Sequence, residues 1–195
     1  MGKKSRQHRR IRLTPEQIAA GRASGHLLTV TRKDILVGLL DTAIWLWFHE
    51  RDPVAIHTLA SAGHQSLYDV GKENGYEPVL NRIFSDDELR QAYNVFKHGT
   101  SDPNEITDFP PETNTRLLLD ASNVFSVIYG SRTPFMATFQ CYVVIFLGPR
   151  PVVEFDKPSP ILFLPENVEV EEVRQWSRLE FFSKIVPLFE GSPFL

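Results

Sequence analysis

The chain has 195 residues, 42% of them hydrophobic and 23% charged, a composition that excludes a disordered or fibrous protein. Its single cysteine, Cys141, excludes an intrachain disulfide and fits a reducing compartment. The longest apolar runs, Ile44–Phe48 and Tyr142–Leu147, fall far short of the ~20 residues a membrane-spanning helix needs. No apolar core follows the basic N-terminus as a secretory signal requires, so a soluble, cytoplasmic protein with no membrane partner is expected.

Charge is unevenly placed. Lys3, Lys4, Arg6, Arg9, Arg10 and Arg12 fall in residues 1–12, with no acid among them. Removing those six from the chain's 21 basic residues leaves 15 against 24 acidic, a formal −9 for residues 13–195. The acidic body repels a phosphate backbone and the tail attracts one. The tail reads as a disordered, solvated terminus, with a weak nucleic-acid-binding arm as the functional alternative.

Thr14-Pro15-Glu16-Gln17 predicts a helix start, with Thr14 as cap, Pro15 at the first helical position and Gln17 completing a capping box. This helix is expected to end near Gly25. Thr31 opens a stronger helix, with Asp34 at the capping-box position. Ile35, Leu36, Leu39, Leu40, Ala43, Ile44 and Trp47 follow helical spacing, and the helix must end before Pro53. Asp52 caps the next helix, which runs from about Pro53 to Glu73. Ile56, Ala60, Gly63, Leu67 and Gly71 share one of its faces, and the small residues among them predict a central, closely packed helix. Asn74-Gly75 is its stop signal. Two long helices joined by so short a link predict an antiparallel hairpin.

Ser85-Asp86-Asp87-Glu88 starts a further predicted helix, apolar through Leu89, Ala92, Tyr93 and Phe96 and ending at His98-Gly99. A proline-rich loop follows. Residues 112–129 read as a core helix through Leu117, Leu118, Ala121, Val124, Phe125 and Ile128. Phe135 to Leu147 is compatible with helix or strand. Residues 148–165 hold five prolines and predict an extended segment, with a short edge strand at Val152–Phe155. Val170 to Phe189 predicts a last amphipathic helix, broken or kinked near Pro187. The expected fold is mainly α: an antiparallel helical bundle with a proline-rich, partly extended C-terminal segment and a final helix. The expected division is a tail at 1–12, an N-terminal helix and linker at 13–30, the bundle at 31–129, and an extension at 130–195 packing on it.

The chain has no P-loop, dinucleotide-binding turn, paired-cysteine zinc site or HExxH motif, and no cofactor or metal is called for. Cys141 reads as a small buried residue. Two groups of polar residues bear on chemistry. His57, Ser61, His64 and Tyr68 lie within about 40° of one another on a helical wheel. They read most simply as a border of the core, hydrogen-bonded to neighbouring helices; a metal or proton relay is the alternative. Arg90, Asn94 and His98 fall at i, i+4 and i+8, a polar ridge opposite an apolar face. His98 stands at a helix C-terminus, where the dipole favours its charged form and where it can act as general acid or base. Lys97 adds positive charge, and Asp102 in the following loop can orient the imidazole. A helix end whose His and Lys satisfy the last carbonyls is the plainer reading.

The hairpin Leu39–Gly75 and the later run Tyr93-Asn94-Val95-Phe96-Lys97-His98-Gly99 resemble the HEPN superfamily of small helical bundles. Its hairpin commonly reads as an apolar helix, a short Asp-containing break and an Ala-rich helix. Here these are Ala43–Phe48, Asp52-Pro53 and Ala55–Ala62. Many members carry Arg-Asn-x-x-x-His late in a helix, often followed by Gly. The resemblance covers about residues 31–129 and implies a homodimer, with RNA or a nucleotide as ligand. In active members the arginine and histidine meet across the dimer and cleave RNA without a metal, in toxin and antiphage-defence roles. Asn94, His98 and Gly99 match the motif; Tyr93 stands in the arginine's place. That departure removes the cation expected to stabilise transition-state charge. Arg90 is about 12 Å of helix rise from His98, so it or Lys97 could substitute only by a long reach or from a second chain. The expectation is a non-catalytic or degenerate HEPN-like interaction module of bacterial type, with a His98-dependent, metal-independent ribonuclease as the alternative. Trp45, Trp47 and Phe48 crowd one helix more densely than a single core face needs, which predicts an interface there.

Overall fold

The computed structural model of the chain describes residues 14–25, 27–76, 109–147 and 169–190. Helix makes up 76% of them and no strand occurs among them; the fold is mainly α. The expected helix at 85–98, the proline-rich segment and the edge strand at Val152–Phe155 lie outside the described residues. The chain divides into two compact units, residues up to Asp34 and residues from Ile35.

In the first unit, α1 spans Pro15–Ala23. Thr14 and Gln17 satisfy each other's backbone N–H groups, with Thr14 Oγ1 accepting at 3.3 Å and Gln17 Oε1 at 2.8 Å, as the sequence predicts. Gly25 takes φ +72, a left-handed turn that glycine adopts without a steric penalty. Leu27 then folds back onto Gly21, where a Cβ would stand 2.5 Å from Leu27 Cδ1. The second predicted capping box is also present: Thr31 Oγ1 accepts from the Asp34 N–H at 3.1 Å and Asp34 Oδ2 from the Thr31 N–H at 2.8 Å.

Helix α2 spans Arg32–Phe48 and α3 spans Pro53–Glu73. Glu50 at φ +49 ends α2. Its N–H reaches the Trp47 carbonyl and the Arg51 N–H that of Leu46, the pairing that closes a helix C-terminus. Asp52 Oδ1 accepts from the Val54 N–H at 2.8 Å and so opens α3. Leu40 lies against Gly63, whose added Cβ would meet Leu40 Cδ2 at 2.8 Å. Leu40 is eight residues from the end of α2 and Gly63 ten from the start of α3, or about 12 and 15 Å of helix. The two helices are therefore antiparallel, and Gly63 is what allows their close approach. Gly63→Ala is expected to lose about 1–3 kcal/mol, because Leu40 is wholly buried and has no room to yield; chemical denaturation measures it.

Helix α4 spans Thr113–Tyr129 and ends at Gly130, φ +63. Asn114 at its start bonds to residues at the start of α3, and these two helices pack along each other extensively, so α3 and α4 run in the same direction. Helix α5 spans Pro134–Tyr142 and continues as a π-helical turn, Val143–Leu147. The sequence is ambiguous here because apolar residues occupy every side of the segment. Met136, Ala137, Thr138 and Phe139 are all buried in succession, as a helix enclosed by neighbours requires. The predicted last helix is two: α6, Val170–Val173, and α7, Arg178–Phe189. The break falls at residues 174–177, where Ser177 Oγ accepts from the Glu180 N–H, and not near Pro187. Pro187 sits in the last turn of α7, which continues past it to Phe189.

One hydrophobic core draws Leu36, Leu40, Ile44 and Phe48 of α2 together with Ile56, Ala60 and Leu67 of α3 and Leu117, Leu118 and Phe125 of α4. It extends through Phe139 and Tyr142 of α5 to Phe181 and Ile185 of α7. Ile35, expected on the apolar face, is 47% exposed, whereas Phe48 is fully buried. No helix of the described residues is long and apolar enough to cross a membrane.

Candidate functional site

Arg90, Asn94, Lys97, His98 and Asp102, the residues from which the sequence builds a nuclease-like site, lie outside the described residues. The second group, on α3, is described in full. His57, Ser61 and His64 are buried and Tyr68 is half-buried.

His57 has a defined chemical state. Its Nδ1 is 2.9 Å from Asn114 Oδ1, and Asn114 Nδ2 donates to the Pro53 carbonyl at 2.9 Å. A carbonyl can only accept, so the amide is oriented with Nδ2 towards Pro53 and Oδ1 towards His57. His57 therefore donates from Nδ1–H, and in the neutral ring Nε2 holds the lone pair. Burial pushes the imidazole below its usual value, the hydrogen bond it donates to Asn114 opposing this more weakly; the neutral ring is favoured. Phe109 packs edge-on against it, ring centres 4.8 Å apart. These contacts fasten the first turn of α3 to the first turn of α4, the inter-helix role the sequence suggests for the stripe. Sequence reasoning missed Asn114, the partner that sets the tautomer. Among the described residues no three His, Cys, Asp or Glu side chains gather closely enough to hold a metal.

A second polar locus lies between α2 and α5. The Thr133 hydroxyl caps α5 by accepting from the Met136 N–H at 3.1 Å and donates to Asp41 Oδ1 at 2.6 Å. Burial pushes the Asp41 carboxyl up to about 6, with the Thr133 hydrogen bond opposing it. Nearby, Arg132 Nη1 donates to Gln140 Oε1 at 2.6 Å and Gln140 Nε2 to Asn123 Oδ1 at 2.8 Å, joining α5 to α4. The raised carboxyl means that the folded chain binds the Asp41 proton more tightly than the unfolded chain. That contribution to stability is full below about 3.8 and is lost as pH rises towards about 6. Asp41→Asn, which keeps an acceptor for Thr133, is accordingly expected to stabilise the fold at pH 7.5, with the gain shrinking by pH 4. Melting curves at the two pH values check this.

Cys141 is buried and its thiol is pushed up to about 12 by desolvation, which leaves no thiolate for nucleophilic work. Of the three crowded aromatics on α2, Trp47 and Phe48 are buried and Trp45 is 38% exposed; only Trp45 offers surface for contact. No protein-family model, curated protein or solved structure matches the chain.

Proposed function

We propose that the chain is a HEPN-like helical interaction module that has lost catalysis and associates with RNA or a nucleotide, as a homodimer, in the cytoplasm. The observation that carries this reading is Tyr93 in the motif Tyr93-Asn94-Val95-Phe96-Lys97-His98-Gly99. Phosphodiester cleavage by a histidine needs a cation where charge develops, and tyrosine carries none. The mainly helical fold and the α2–α3 hairpin closed at Gly63 are compatible with that family. One histidine of α3 is used for structure: His57 is held against Asn114, and burial favours its neutral form.

The alternative, a metal-independent ribonuclease of the toxin or defence kind, draws on Asn94-x-x-x-His98-Gly99. Purified chain incubated with labelled RNA in EDTA separates the two. Intact RNA with wild type and His98→Ala alike supports the non-catalytic module. Cleavage that disappears in His98→Ala establishes the ribonuclease.

A further inference from the structure

The exposed ridge of α2 between Gly38 and His49 has features that core packing does not explain. Asp41 is half-buried, and no Lys, Arg or His among the described residues lies within ion-pair distance of its carboxylate; Thr133 is its hydrogen-bond partner. A carboxylate withdrawn from water without a counter-charge is destabilising. Trp45, at i+4 from Asp41, keeps a large aromatic ring 38% exposed. One of its faces is covered by His49, with ring centres 3.9 Å apart and planes 24° apart. The His49 Nδ1–H donates to the Trp45 carbonyl at 2.7 Å, which fixes the stack. A helical side chain leans back over the turn that precedes it, which for Trp45 is the turn that holds Asp41. Gly38, at i−3 from Asp41, is a helix-interior glycine whose Cβ would meet nothing within 4 Å among the described residues. Unlike Gly63, it has no packing partner to justify the ~1 kcal/mol a glycine costs there. With no side chain at residue 38, the helix surface one turn before Asp41 is left open.

We propose that this stretch of the α2 surface binds a guanidinium group, stacked on Trp45 opposite His49 and hydrogen-bonded to the Asp41 carboxylate. Helix neighbours four apart are about 6 Å from each other. A flat cation lying on the indole therefore reaches Asp41 with its in-plane N–H groups. Guanidinium matches this better than ammonium, because it stacks on an aromatic face and donates sideways at once. Thr133 holds the carboxylate and His49 holds one face of the indole, so both partners are fixed before the ligand arrives. The ligand is a guanidine on a small molecule or an arginine side chain on a polypeptide. The inference uses none of residues 90–102 and does not rest on the proposed module.

The test is NMR titration of the full chain, following the indole N–H signals, with Trp45→Phe used to assign that of Trp45. The probes are agmatine, a Gly-Arg-Gly peptide and, as control, Gly-norleucine-Gly. The Trp45 signal is expected to move with agmatine or Gly-Arg-Gly and not with the control. The stronger of the two assigns the source, small molecule or polypeptide. Read at the Trp45 signal, Asp41→Asn is expected to weaken binding about five- to tenfold, and Gly38→Leu, which puts a bulky side chain on that surface, to abolish it. Asp41→Asn is expected to be the more stable protein at neutral pH, so its loss of binding is not a loss of fold. An unmoved Trp45 signal with both guanidines overturns the proposal, and so does equal binding by wild type and Asp41→Asn.

Discussion

Phe48→Ala is expected to destabilise the protein by about 3–5 kcal/mol, the range for a large aromatic removed from a packed core, measured by urea denaturation. Phe48 is fully buried. Its ring meets Trp47 and Phe139 edge-on at 5.1 and 6.1 Å and Tyr142 edge-on at 5.5 Å. It also meets Phe181 at 6.2 Å and Phe182 at 4.8 Å. One side chain at the end of α2 thus holds α5 and α7 together, and surrounding rings of that size cannot collapse into the space it leaves. A single cooperative transition shifted to lower urea is the expected form of the result, because the core is shared by every helix from α2 to α7. A loss below about 1 kcal/mol would mean that the aromatic cluster does not carry the packing assigned to it.

Asn114→Ala is expected to cost about 1–3 kcal/mol at pH 7.5. The substitution takes from the buried His57 Nδ1–H its acceptor and from the Pro53 carbonyl its side-chain donor. Replacing both partners by apolar groups, His57→Phe with Asn114→Leu, is expected to lose less than Asn114→Ala alone, since no polar group is then stranded. His57 also makes stability depend on pH. Its folded pKa lies below the ordinary 6.5, so the unfolded chain binds more protons in the window between the two. The contribution is full above about 6.5 and is lost as pH falls through the folded value. Denaturation curves at pH 7.5 and 5.5 are expected to show this decline in wild type and its absence in His57→Phe. Asp41 acts with the opposite sign between about 3.8 and 6, so the decline is steepest at the upper end of the acid range.

Local signals made the first three helices legible. Thr14 with Gln17, Thr31 with Asp34, Asp52 with Pro53, and Asn74-Gly75 are each complete within four residues of sequence. All four end up where they were read. The last helix holds a signal that the reading passed over: Ser177-Arg178-Leu179-Glu180 has the spacing of a capping box, and the break falls there, while the helix continues past Pro187 to Phe189. Phe135–Leu147 was undecidable because burial on all sides erases periodicity. The polar pairs were beyond reach for a different reason. His57 with Asn114 and Asp41 with Thr133 are separated by 57 and 92 positions, and nothing local in either member names the other. The stripe on α3 was read as a border of the core with bonds to neighbouring helices, and the His57 contact with α4 is such a bond. The residues on which the HEPN resemblance turns lie outside the described part of the chain, so their test is functional.

The most direct measurement of the central claim restores the missing cation. RNA cleavage in EDTA would be compared for wild type, Tyr93→Arg and Tyr93→Arg combined with His98→Ala. The account predicts no cleavage by wild type, cleavage by Tyr93→Arg, and its disappearance in the double variant. Cleavage by wild type as fast as by Tyr93→Arg would contradict it, and so would silence in all three folded proteins, which would remove the HEPN-like reading of residues 93–99.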